Sequence, residues 1–106
     1  MTIEKKFIEN PSPWHPDTNS SNQKYYLKLM EELAEALSAT ARCQMQGIDE
    51  AEPSTGKINR EWLEEELADV VANIHLVTEH FNLDGFKMMV RVSKKIEHLS
   101  KWHKMA

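Results

Sequence analysis

Four carboxylates are the residues of this chain best placed to do chemistry. They are Glu32 and Glu35 in Glu32-Leu33-Ala34-Glu35, and Glu66 and Asp69 in Glu66-Leu67-Ala68-Asp69. The members of each pair stand at i and i+3, which on a helix puts them on one face with Cβ atoms roughly 5–6 Å apart. One such pair on a solvated helix is ordinary. Two pairs, each beside an apolar stripe, can converge between packed helices, where four negative charges repel unless a cation joins them. Hard divalent ions with oxygen ligands, Mg²⁺ above all, meet that need. Leu29 and Leu33 flank Glu32 on the helical wheel, while Leu67, Val70 and Ile74 border Glu66 and Asp69. The acids therefore sit at the margin of the core stripes, where an unpaired carboxylate is costly.

Other metals suit the pattern less well. A di-iron site inside a helical bundle needs Glu-x-x-His on two helices. The residues three before His75, His80, His98 and His103 are Ala72, Val77, Lys95 and Ser100, so none is Glu. The pairs 75/80 and 98/103 also miss the i, i+4 spacing that lets two imidazoles share a zinc. These histidines are expected at the surface or an interface, with His75 a candidate buried polar residue. Mg²⁺ is the expected cofactor, with Mn²⁺ as its substitute. Asn73 shares the acidic face of its helix and reads equally as a hydrogen-bond partner for sugar or phosphate and as a structural amide. Lys28 precedes Glu31 and Glu32 by three and four residues, the spacing of a local ion pair. Trp14 and Trp62 are candidates for stacking on a base, although anchoring by packing is the simpler role for both, and simpler still for Trp102.

Three helices must position these groups. Ser20 or Ser21 is expected to cap the first, which runs to about Gln46 with Tyr26, Leu29, Met30, Leu33 and Leu37 on its inner face. Gly47 is placed as a left-handed stop. Residues 47–59 form a polar connection, a candidate lid or binding loop. Asn59 is expected to cap the second helix, over about 60–81, with Leu63, Leu67, Val70, Val71, Ile74, Val77 and Phe81 inward. Asp84 caps the third, to about Lys104, with Phe86, Met89, Val90, Ile96 and Leu99 inward. Residues 1–19, with Pro11, Pro13 and Pro16, read as an irregular arm, and 20–106 as one helical domain. The fold class is all-α, an antiparallel bundle of three main helices. Three wide apolar faces bury one another poorly, so a homo-oligomer is expected to complete the bundle.

A net charge of −4 argues against a nucleic-acid partner. No apolar run reaches the ~18 residues of a membrane span, and the N-terminus lacks the apolar segment of a secretory signal. The single Cys43 reads as a small apolar residue in a reducing cytoplasm.

Glu31-Glu32-Leu33-Ala34-Glu35 followed by Glu65-Glu66-Leu67-Ala68-Asp69-Val70 resembles the EExxE…ExxD pattern of the all-α nucleoside triphosphate pyrophosphohydrolases. This is the MazG-like superfamily, which includes dCTP pyrophosphatase and dimeric dUTPases. The resemblance covers about residues 20–104, and Lys94-Lys95-Ile96-Glu97-His98-Leu99 looks like the family's last helix. Two departures stand out. The connection from Ala36 to Glu65 is long, and Ala72-Asn73 occupies the place where phosphoribosyl-ATP pyrophosphohydrolases usually carry Tyr-His.

The resemblance implies a four-helix-type core made by a homodimer or homotetramer. It also implies hydrolysis between the α and β phosphates of a nucleoside triphosphate, giving a monophosphate and pyrophosphate. Glu32, Glu35, Glu66 and Asp69 would hold the metal, and Glu35 would accept the proton of the attacking water. Lys95 on the last helix would contact the phosphates; Asn73, and Trp14 on the arm outside the resemblance, are the further candidate substrate contacts, read from the residues themselves. A non-catalytic nucleotide-binding protein or helical interaction module on the same scaffold is the alternative.

Overall fold

The computed structural model describes residues 14–105. Its regular elements are α1 (Ser20–Gln46), α2 (Asn59–His80) and α3 (Gly85–Met105). Among the described residues the strand-like pairing is one antiparallel bridge between Ala51 and Ile58, so the all-α expectation holds. Of the expected arm, residues 14–19 are described and carry no helix, while residues 1–13 lie outside the described residues.

The cap of α1 falls one residue earlier than Ser20. Asn19 is extended (φ −68°, ψ 118°), and its Oδ1 accepts the Asn22 backbone N–H at 2.9 Å. Asp17 fixes this geometry by accepting from the Asn19 backbone N–H, Asn22 Nδ2 and Tyr26 Oη at 2.9–3.0 Å. Either serine offers the same chemistry, but only Asn19 stands where the chain turns into the helix. At the other end the Gly47 N–H donates to the Cys43 carbonyl at 2.8 Å. Gly47 has φ 104° and ψ 140°, so the expected glycine stop is present with the positive φ that favours glycine, but its ψ lies outside the left-handed helical region.

Asn59 corrects the second expected cap. Ile58 occupies the cap position without a side-chain bond, and Asn59 is already helical. With 0% exposure, Asn59 turns Nδ2 back to the end of α1, donating to Gln46 Oε1 at 3.1 Å and the Gly47 carbonyl at 3.0 Å. One amide thus joins the two helices and satisfies a carbonyl that the helix end leaves over. The 47–59 connection between them is ordered by similar local bonds. The Glu52 carboxylate accepts from Ser54 Oγ, Thr55 Oγ1 and the Thr55 backbone N–H at 2.7–2.9 Å. Arg60 donates to both oxygens of Asp49 at 2.8 and 3.1 Å.

Helices α1 and α2 pack as an antiparallel pair. At one end Tyr25 stacks on His80 and Tyr26 on Phe81, with ring centroids 3.9 and 4.9 Å apart. At the other, Cys43 Sγ approaches the Asn59 carbonyl at 3.8 Å. Ala36 and Ala39 are buried between them, and their small side chains let the helices come close. Beyond the turn, Asp84 caps α3 as expected, accepting from the Lys87 N–H at 3.0 Å. Asn82 takes a left-handed φ of 50°, a conformation asparagine tolerates better than most residues.

The expected core faces are largely uncovered within one chain. Leu37 is 70% exposed, Phe86 81% and Ile96 60%. Only the first turns of α3 approach α2, where Met88, Met89 and Val92 face Val71, Ile74 and Thr78 across a groove. No described residue of α3 is buried. A radius of gyration of 19.7 Å, against about 13 Å for a compact domain of ~100 residues, reflects this outlying helix. No helix among the described residues is long and apolar enough to cross a membrane.

Candidate metal centre

The α1–α2 seam brings three of the four expected acids together. Glu32, Glu35 and Glu66 each place a carboxylate oxygen within 4.8 Å of the others. The i, i+3 spacing aligns Glu32 and Glu35 along α1, and the antiparallel crossing at Ala36 and Ala39 brings Glu66 up to them. Asp69 lies one turn further along α2, exposed, and its carboxylate is not part of this group.

The three carboxylates differ in surroundings. Glu32 is buried to 6% exposure, with Oε1 paired to Lys28 Nζ at 3.2 Å. Lys28 also reaches Glu31 at 3.4 Å, the local ion pair its spacing implied. The second oxygen of Glu32 is buried without a hydrogen-bond partner, and so is Oε2 of half-buried Glu66. Glu35 is held above the usual carboxylate range. Desolvation at the seam is the largest cause, followed by the charge of Glu32, then a hydrogen bond to Glu66 and its charge. Two orphaned carboxylate oxygens beside an acid reluctant to ionise are what a bound cation corrects, because it supplies the missing partner and neutralises the repulsion. The all-oxygen donor set fits a hard ion such as Mg²⁺.

Two grooves flank the cluster along the seam. One, about 310 Å³, is lined by Glu35, Ser38, Ala39, Arg42, Trp62 and Glu66. The other, about 380 Å³, is lined by Lys24, Tyr25, Lys28, Asn73 and Leu76. Asn73 is thus placed beside the site, with its Nδ2 donating to the Asp69 carbonyl at 2.8 Å. Trp62 is half-buried, with Lys57 Nζ 4.0 Å from its ring centroid and the Arg42 guanidinium 5.4 Å away.

The remaining expected groups are not gathered here. Lys95 is exposed on α3 and its side chain makes no hydrogen bond or ion pair among the described residues. Trp14 is 86% exposed near the start of the described chain. His75 is not the buried histidine; it is exposed and pairs with Glu79 Oε1 at 3.1 Å, whereas His80 is half-buried under Tyr25. Sequence reasoning missed Arg42, although a signal was available: Glu35, Ser38, Ala39 and Arg42 recur at i, i+3, i+4 and i+7 on one helix face.

No family model matches the chain, and no curated protein or solved structure matches it either.

Proposed function

We propose that this protein is a divalent-cation-dependent nucleoside triphosphate pyrophosphohydrolase of the MazG-like type. The observation that carries the reading is the meeting of Glu32, Glu35 and Glu66 within 4.8 Å, with buried oxygens of Glu32 and Glu66 left without partners. Glu32, Glu35 and Glu66 would hold Mg²⁺ or Mn²⁺, and Asp69 would join by a side-chain rotation from the next turn. The ion supplies charge neutralisation for phosphate oxygens and a more acidic water. In the reaction, water oxygen bonds to the α-phosphorus and the bond from that phosphorus to the bridging oxygen breaks. A nucleoside monophosphate and pyrophosphate leave. Glu35, the exposed member of the cluster, would accept the proton the water gives up. Asn73 borders the groove that would take the sugar and base.

The working unit is a homodimer or homotetramer in the cytoplasm. Leu33 and Leu37 on α1, with Phe86, Met89 and Ile96 on α3, are exposed in the single chain. Monomers seldom leave so much apolar surface to water. In the assembly a second copy covers these faces, and Lys95 would reach phosphates only through such packing. Trp14 would contact substrate from the arm.

The test is pyrophosphate release from a panel of standard and modified nucleoside triphosphates with Mg²⁺. No release from any of them sinks the enzyme. Binding without release points instead to a non-catalytic nucleotide-binding protein, and neither binding nor release to a helical interaction module.

A further inference from the structure

Two cations lie against Trp62, one of the residues that line the groove beside the carboxylates, and they are not equivalent. Lys57 lies 4.0 Å over the Trp62 ring, but its Nζ is already held by Glu65 Oε2 at 2.6 Å. Arg42 is half-buried, stands 5.4 Å from the same ring, and its side chain has neither an ion pair nor a hydrogen bond among the described residues. None of its guanidinium nitrogens is buried without a partner, so its fork of five N–H donors opens on the groove and on solvent, available to an anionic ligand. The aromatic face supplies orientation without consuming those donors. Glu35 and Glu66 line the same groove of about 310 Å³.

Resting on the reading of the carboxylates as a metal site for a phosphate substrate, we infer that Arg42, oriented by Trp62, binds the polyphosphate chain of the substrate. The two ends of the groove complement a chain of phosphates. Glu35 and Glu66 at one end suit the metal-associated oxygens, and about two helical turns along α1 the planar fork of Arg42, beside Trp62, suits the free oxygens of a following phosphate. A monophosphate cannot span both. A basic phosphate contact is therefore supplied from α1, within the same chain as the acids, in addition to the one Lys95 would bring through packing of a second copy.

Calorimetric titration of inorganic tripolyphosphate with Mg²⁺ into wild-type protein, Arg42→Lys and Arg42→Gln tests this. Arg42→Lys is expected to bind about tenfold more weakly and Arg42→Gln about a hundredfold, as the fork and then the charge are lost. Mg²⁺ binding alone and the thermal melt should match wild type, which separates ligand contact from mere support of Trp62. Wild-type affinity in Arg42→Gln overturns the inference, and so does a wild-type protein that binds no tripolyphosphate. Where Arg42→Gln does not fold, Arg42→Lys carries the test: unchanged affinity there refutes the role. If tripolyphosphate binding depends on Arg42 but no nucleotide releases pyrophosphate, catalysis falls and the phosphate site stands. Normal turnover with unchanged affinity in the variants gives the reverse result.

Discussion

Where α1 meets α2, the buried residues are Ala36, Ala39, Glu32 and Asn59; α3 carries Phe86, Met89, Ile96 and Leu99, and buries none of them. The seam is tight but poor in apolar area. The third helix is rich in apolar area but, among the described residues, meets α2 at its first turns and is otherwise uncovered. Hydrophobic stabilisation scales with the apolar surface removed from water, about 25 cal/mol per Å². The seam can therefore hold charged chemistry only if stability comes from elsewhere, and α3 is the part of the chain with stability to contribute once covered. On the proposed reading, the difference would assign chemistry to the seam and cohesion to α3, while the small alanines let the carboxylates come close.

The largest expected effect breaks the seam's chemistry alone. Glu35→Gln or Asp69→Asn should reduce pyrophosphate release by about 10²–10⁴-fold, the range of a lost general base or a displaced ligand, with the circular dichroism spectrum of the fold kept. In the same experiment, Mg²⁺ should raise the melting temperature of wild type but not of Glu66→Gln. Near-normal turnover in either of the first two variants would show that the acids are only a solvated face.

The second effect falls on the other region. Ile96→Asp should shift the sedimentation profile from oligomer to monomer, lower the melting temperature and abolish the dependence on protein concentration that the wild-type oligomer shows. A wild-type chain that sediments as a stable monomer would end the division of labour.

Smaller changes sharpen the comparison within the α1–α2 pair. Asn59→Ala removes the Nδ2 bonds to Gln46 and to the Gly47 carbonyl, which keeps the Glu50 N–H at 3.3 Å, so urea denaturation should show a loss of about 1 kcal/mol. The smallest effect concerns the connection. Ser54 and Thr55 hold the Glu52 carboxyl at about 2, below its ordinary 4.5. A depressed carboxylate contributes stability that is complete above the ordinary value and fades as pH falls from 4.5 toward about 2. The protection factor of the Thr55 amide, the unprotected exchange rate divided by its own at the same pH, should fall over that window before the helices melt. Protection that stays flat there would mean that Glu52 does not order the loop.

Much of this was legible before any coordinates. The apolar spacing of Leu29, Leu33 and Leu37 located α1, and the Asp84 cap opened α3 where it was expected. The Lys28 pairs with Glu31 and Glu32 followed from spacing alone. The illegible parts were those with more than one equivalent local solution. Asn19, Ser20 and Ser21 can all cap a helix, and the choice rested on where Asp17 bent the chain. Asn59 had the composition of an N-cap, but its amide was taken by the end of the preceding helix, which no local rule describes. His75 and His80 exchanged their expected environments because burial depends on what lies opposite.

Sequence alone determined the helices and the pairing of acids along each one, because a 3.6-residue period and i, i+3 spacing are properties of a single helix. Only the tertiary structure decided that Glu66 joins Glu32 and Glu35 while Asp69 stands a turn away, that Arg42 enters their groove, and that the apolar stripe of α3 stays uncovered. Those outcomes depend on the crossing of two helices and on which faces find a partner, and such contacts between distant residues are not encoded in the period of either helix.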